Sequence, residues 1–430
     1  MARLYQFIAL LFYIQTAWSY PATSDLTSRA NRNAHWVSTW ATMPQLVEPY
    51  NLPPAPYNAS DSVFKNTTLR QTFRVTQPAQ QIRLRVSNTF GLTDLSVTNV
   101  AISLPVDDQL GTSAIEHGST KAVSFSGNPD IIIPKGALAV SDPIDFPVKT
   151  LQTVTVDIYL AQGQTGGAIT GHPGSRTTSW LSFGDWVGAA NMTDSSVLST
   201  DHWYFLSGVE AISPARTRSC ALIGDSITDG RGSTTNQNNR WPDLLLQRMQ
   251  KHPSTASIAL LNQAAGGNRI LADGLGPNTL SRIDRDVLAQ TDVQYAILYE
   301  GVNDIGVAAP TPAAQQDIGD RLIVAYQQIV ARIHAAGIPV YGATITPFSA
   351  PAADASTQPY SHPEREKTRQ RVNAWIRSSG VFDAVLDFDK VVRDPQNPAQ
   401  LADKYDSGDY LHPSVAGYQA MADSVPLDLF

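Results

Sequence analysis

The chain has almost no cysteine; Cys220 is the only one. A single thiol excludes an intrachain disulfide and any cysteine-based metal site. The fold must therefore rest on apolar cores, for which a hydrophobic content of 42% is ample. Cys220 itself lies in an apolar run and reads as a small core residue rather than a reactive thiol. Long hydrophobic runs are lacking too. Residues 4–14 form the one sustained stretch, and it is too short to span a bilayer. Basic runs and basic amphipathic stretches are missing, and the net charge is −7. That composition lacks the electrostatic footprint of a nucleic-acid binder. No metalloprotease helix motif occurs, and the glycine-rich residues 224–232 lack the lysine of a phosphate-cradling loop. Internal repeats and low-complexity tracts are absent.

What is present falls into segments. Arg3, the apolar residues 4–14 and Ala17-Trp18-Ser19 have the form of a signal peptide over 1–19, which predicts a secreted protein. Residues 20–34 are polar and read as a disordered lead or pro-segment. From His35 the pattern alternates with period two, in 36–40, 69–75, 82–86, 95–102 and 154–159, with turn-forming clusters between. This spacing predicts an all-β sandwich or jelly roll over 35–214. Residues 47–58, with four prolines, read as a surface loop. Three acceptor sequons, at Asn58, Asn66 and Asn191, lie in this half and are candidate glycosylation sites.

After Ser213-Pro214 the texture changes. Apolar runs at 221–223, 258–261, 295–299, 340–345 and 384–386 alternate with helical patterns at 241–250, 313–335, 363–377 and after Pro413. Such alternation predicts a doubly wound parallel sheet over 215–430, with helices on both faces. Ligands in these sheets bind beyond the carboxyl ends of the strands. Reactive residue types fall there. Gly224-Asp225-Ser226 follows the first run, Gly266-Gly267-Asn268-Arg269 the second, and Glu300-Gly301-Val302-Asn303-Asp304 the third. Asp409-Tyr410-Leu411-His412-Pro413 lies near the end.

Attack of a hydroxyl on an ester needs a base, an orienter for that base, and donors where the oxyanion develops. Ser226 can be the nucleophile and His412 the base. Pro413 keeps His412 out of a helix, and Asp409 can fold back onto its Nδ1. The backbone N–H groups of Ser226 and Gly267 and the side-chain amide of Asn303 can be the oxyanion donors. A histidine base works only when neutral, so activity is expected to climb through the ordinary histidine range, roughly 6.5.

These four blocks, Gly224-Asp225-Ser226-Ile227, Gly267-Asn268, Gly301-x-Asn303-Asp304 and Asp409-x-x-His412-Pro413, resemble those of the SGNH hydrolases, the GDSL esterase/lipase family. The resemblance covers the C-terminal half. It implies a flavodoxin-like three-layer α/β/α fold and ester hydrolysis through an acyl-serine, with no metal or other cofactor. Ile227 stands in place of the family's leucine. Ala264 stands where many members have glycine, which leaves Gly267 as the donor and Gly266 as its alternative. Trp36 to Trp40, Gly267-Asn268-Arg269 and Arg240-Trp241-Pro242-Asp243 are similar to a secreted subgroup with an N-terminal β domain, some of whose members are associated with plant cell-wall polysaccharides.

Other candidates have plainer readings. The remaining histidines, His35, His117, His172, His202, His252, His334 and His362, show no comparable aspartate partner or strand context. Asp225 and Asp304 read as helix caps or loop clamps. Glu300, at the end of an apolar strand, either supports the Asn303 loop or touches substrate; Arg269 either binds an acidic sugar or pairs with an aspartate. Trp180, Trp186 and Trp203 read as core of the β half. The expected function is a secreted serine esterase acting on small acyl esters, acetyl on polysaccharide foremost. Alternatives are a lipase or general carboxylesterase and, in another class, a non-catalytic carbohydrate-binding protein. Neither a nucleic acid nor a membrane is expected as partner.

Overall fold

The alternating stretches of the N-terminal half form antiparallel sheets in the computed structural model, which describes residues 34–354 and 356–430. The segment 1–19, read above as a signal peptide, and the polar stretch 20–34, apart from Ala34, lie outside the described residues. One sheet orders Ala34–Ala41, Leu206–Pro214, Ala79–Ser87 and Ile144–Val148, with Leu138–Val140 also paired to Ala79–Ser87. A second, six-stranded sheet is centred on Thr67–Arg74 and Thr153–Leu160. A single apolar core takes Leu84, Val86 and Val209 from the first sheet and Leu69, Phe73 and Ile158 from the second. Period-two patterning explains this: alternate side chains of each strand point to one face. The run 95–102 is not one strand. It breaks at Thr98, because Leu95–Val97 pairs with Ile131–Ile133 while Asn99–Ser103 pairs with Thr153–Leu160.

In the C-terminal half, five parallel strands are β1 (Arg218–Gly224), β2 (Ile258–Ala264), β3 (Val293–Tyr299), β4 (Val340–Ala343) and β5 (Ala384–Leu386), in spatial order β2-β1-β3-β4-β5. Parallel pairing is uniform along this path. Cys220, Ala221, Leu222 and Ile223 of β1 are all fully buried, each of the larger two contributing roughly 1.5–3 kcal/mol. Helices follow the strands: α1 (Ser226–Asp229), α2 (Trp241–Met249), α3 (Thr279–Ile283), α4 (Val302–Val307), α5 (Pro312–His334), α6 (Pro363–Ser378), α7 (Phe388–Val392) and α8 (Val415–Ser424). β4 stops short of the expected 345, because the Ile345 N–H turns to the Asn373 side chain at 2.8 Å. Among the described residues no helix is long and apolar enough to cross a membrane.

His35–Phe430 is one compact unit, and the first β strand ties its halves together. Ser38 donates its N–H to Thr291 O at 3.0 Å, and Ser219 Oγ donates to Ser38 O at 2.7 Å. Ala41 belongs to the core of the parallel sheet rather than that of the β half.

Candidate active site

Ser226 owes its position to the end of β1. The strand stops at Gly224, and the Asp225 side chain caps α1 by accepting the Ile227 N–H at 2.9 Å. As the first residue of that turn, Ser226 has an N–H with no intrahelical acceptor. Its hydroxyl meets His412 Nε2 at 2.8 Å, and His412 Nδ1 meets Asp409 Oδ2 at 2.6 Å. A carboxylate only accepts, so Nδ1 carries the proton and Nε2 is left to accept from the hydroxyl. Asp409 also takes the N–H groups of Leu411 (3.1 Å) and His412 (2.8 Å) on its other oxygen. Partial burial alone would raise the Asp409 carboxyl. The hydrogen bond and charge of His412, with those two N–H groups, outweigh it and hold the carboxyl below the usual range.

The donors foreseen for an oxyanion border the same cleft as that hydroxyl. Gly267 has φ +71°, and a side chain there would run into Leu275, 2.3 Å from the added Cβ; only glycine suits both constraints. Its N–H has no protein acceptor among the described residues. Asn303, buried at the start of α4, donates one amide hydrogen to Asn268 O at 2.9 Å and accepts from the Tyr360 hydroxyl at 3.0 Å. That fixes the amide's orientation and leaves its second hydrogen for the cleft. Asp304 clamps the neighbouring loop through the N–H groups of Ile270 (2.9 Å) and Leu271 (3.0 Å). Burial pushes its carboxyl up to about 6, against the pull of those N–H groups.

Ser226, Gly266, Gly267, Asn303, Asp409 and His412 border one cleft of about 590 Å³. Part of its lining comes from the β half, through Gln45, Glu48, Tyr50, Asn51, Arg176 and His202 among others. Nothing in the sequence pattern pointed to this lining, nor to Tyr360. Burial lowers the pKa of His202, which holds the Pro173 carbonyl at 2.6 Å.

Two sequence-based candidates lie elsewhere. Glu300 is 1% exposed and accepts from Thr279 Oγ1 at 2.6 Å and Arg282 Nη2 at 3.4 Å. It is a buried support, not a substrate contact, and burial drives its carboxyl up to about 7 despite the Arg282 charge. Arg269 turns its guanidinium to the Asp273 carbonyl and borders a separate hollow with Asp304 and Arg321, so it does not face Ser226. The histidines are also less solitary than their sequence context suggested. His35 meets Asp292 (2.9 Å), His334 meets Asp383 (2.7 Å) and buried His172 meets Asp229 (2.9 Å). Those aspartates are distant in sequence and only the fold brings them near. Among the described residues no cluster of His, Cys, Asp or Glu is placed to hold a metal ion.

The sequence from 222 to 420 matches the GDSL-like lipase/acylhydrolase family. Residues 222–420 are a GDSL-like lipase/acylhydrolase domain. Solved structures similar to this domain include the acetyl xylan esterase AlAXEase (18% identity, 48% of this chain, 96% of that one, TM-score 0.36). Another is a catalytic mutant of Axe2, an acetylxylan esterase from Geobacillus stearothermophilus (19%, 48% and 91%, TM-score 0.35). A third is a GDSL-like lipase from Bacteroides thetaiotaomicron (15%, 48% and 84%, TM-score 0.33). No curated protein matches the chain. The β half lies outside the matched residues of the GDSL-like domain.

Proposed function

We propose that the GDSL-like domain hydrolyses carboxylic esters through an acyl-serine intermediate, with Ser226 as nucleophile, His412 as base and Asp409 as orienter. The observation that carries this reading is the continuous chain Asp409–His412–Ser226, with contacts of 2.6 and 2.8 Å, opening into a cleft. As the Ser226 Oγ–carbon bond forms, the hydroxyl proton passes to His412 Nε2 and an electron pair moves onto the carbonyl oxygen. The N–H groups of Ser226 and Gly267 and the free amide hydrogen of Asn303 then receive that oxyanion. Collapse breaks the bond to the alcohol, which leaves with the proton from His412. Water, deprotonated by the same imidazole, repeats the sequence and frees the acid.

The substrate is a small acyl ester of a polar alcohol, acetyl on a polysaccharide being the foremost case. Support comes from the cleft wall, where Gln45, Glu48, Asn51, Arg176 and Arg231 are polar or charged. A lipid tail would gain little from such a wall. The strand order β2-β1-β3-β4-β5 supports a three-layer α/β/α arrangement, and the shared core of the two antiparallel sheets supports a sandwich for 35–214. Secretion is part of the same proposal. Asn58, Asn66 and Asn191 are all exposed, as glycan acceptors must be.

Release of p-nitrophenol from p-nitrophenyl acetate tests the reading. The wild type is expected to turn over and Ser226→Ala to fall to background. Equal, slow release by both would overturn it and favour a binding protein instead.

A further inference from the structure

Asp229 closes α1 one turn after Ser226 and is 1% exposed. Its Oδ1 is held by His172 Nε2 at 2.9 Å, and His172 Nδ1 is held in turn by the Met43 carbonyl at 3.0 Å. Its Oδ2 has no protein partner. That oxygen packs where two glycines make room. A Cβ on Gly174 would sit 1.6 Å from it, and one on Gly266 3.9 Å from it. Gly174, Gly266 and Asp229 all border the cleft that holds Ser226. Two residues beyond Gly174, Arg176 borders the same cleft and has a buried Nε–H that is likewise without partner.

A buried carboxylate oxygen and a buried guanidinium N–H left unmatched are costly unless a ligand satisfies them. One accepts and the other donates. A hydroxyl group does both, whereas a lipid alkyl chain does neither. We propose that this wall is a subsite for a hydroxylated alcohol moiety, in which Asp229 Oδ2 accepts a hydrogen bond from a substrate hydroxyl and Arg176 Nε–H donates one. The β half, through His172 and Arg176, thereby sets specificity for esters of sugars and other polyols over esters of plain alcohols. The subsite rests on the ester-hydrolase reading and narrows it.

The test compares kcat/KM for a monoacetylated methyl xyloside and for cyclohexyl acetate. These share an acyl group and a six-membered ring but differ in ring hydroxyls. Wild type should prefer the xyloside by more than about tenfold, and Asp229→Asn, which turns the acceptor into a donor, should cut that preference by about 10–100-fold. Arg176→Met should cut it less. No preference in the wild type, or a parallel loss on both esters in Asp229→Asn, would overturn the subsite while leaving ester hydrolysis intact. Absence of Ser226-dependent turnover on either ester would instead overturn the ester-hydrolase reading. If Asp229→Asn does not fold, a crystal structure of Ser226→Ala with the acetylated xyloside decides. A ring hydroxyl within about 3.2 Å of Asp229 Oδ2 upholds the subsite, and a ring turned away from it overturns it.

Discussion

Two histidine–aspartate pairs flank the Ser226 turn, His412 and Asp409 both bordering the cleft but only the aspartate of the pair His172 and Asp229 doing so, and they differ in what their second ring nitrogen meets. In His412 one nitrogen faces Asp409 and the other faces a hydroxyl, Ser226. In His172 one nitrogen faces Asp229 and the other faces a carbonyl, that of Met43. A hydroxyl can give up a proton and a carbonyl cannot, so only the first imidazole is placed to act as a base. The second is engaged by acceptors on both sides, so it positions Asp229 rather than moving a proton. It joins a strand of the β half, Thr170–His172, to the turn that carries Ser226. A His–Asp contact at hydrogen-bond distance is thus no mark of catalysis by itself.

Substitutions should separate the two pairs. The largest effect is expected for His412→Ala, a fall in kcat on the order of 10⁴–10⁶ with little change in melting temperature. Ser226→Ala combined with it should cost no more than either alone, because the two act as a unit. Asp409→Asn should cost less, on the order of 10²–10⁴, since it disturbs the imidazole's orientation and tautomer but removes no reacting atom. His172→Gln should invert the pattern. Its kcat is expected to fall less than about tenfold, while stability drops by about 1–3 kcal/mol as Asp229 loses its buried partner. Calorimetry and p-nitrophenyl acetate kinetics on the same preparations check all four, and a rate loss for His172→Gln as deep as that for His412→Ala would erase the distinction.

A smaller effect concerns pH. Glu300 is raised from 4.5 to about 7 by burial. Its folded form therefore holds the proton more tightly than the unfolded chain does. The associated stabilisation is complete below about 4.5, fades as pH rises, and is gone above about 7; it amounts to on the order of 3 kcal/mol. The Glu300 contribution should thus lower the melting temperature between those limits. Glu300→Gln, which keeps an acceptor for Thr279 and Arg282, should flatten that slope. Asp409 contributes with the opposite sign. Its depressed carboxyl stabilises above the ordinary carboxylate range, and that support is lost only in strong acid.

Much of the site was legible because its residues sit in short local patterns. The strand ending before Gly224, the three-residue step from Asp409 to His412 and the proline after it are each readable from neighbours in the chain. What escaped depends on long-range docking. His172 and Asp229 lie 57 residues apart, in a three-residue strand and a single helical turn that carry little periodicity. Tyr360 reaches Asn303 from a loop without regular structure. For Arg269 and Glu300 the strand-end position was informative but the direction of the side chain was not. Arg269 folds back on Asp273 and Glu300 points into the core. The large β half was legible as sheet but not as a wall of the cleft, since period-two patterning says which side chains are buried and nothing about what the sheet's rim faces.

The claim that Ser226 is a nucleophile made reactive by His412 can be tested without knowing the natural ester. The protein would be incubated with diethyl p-nitrophenyl phosphate, which transfers a diethylphosphoryl group to an activated serine as p-nitrophenolate leaves, and then digested for mass spectrometry. One adduct per chain is expected, on the peptide containing Ser226, forming orders of magnitude more slowly in His412→Ala. An unmodified Ser226 peptide in the wild type, or modification of a different hydroxyl, would contradict the account.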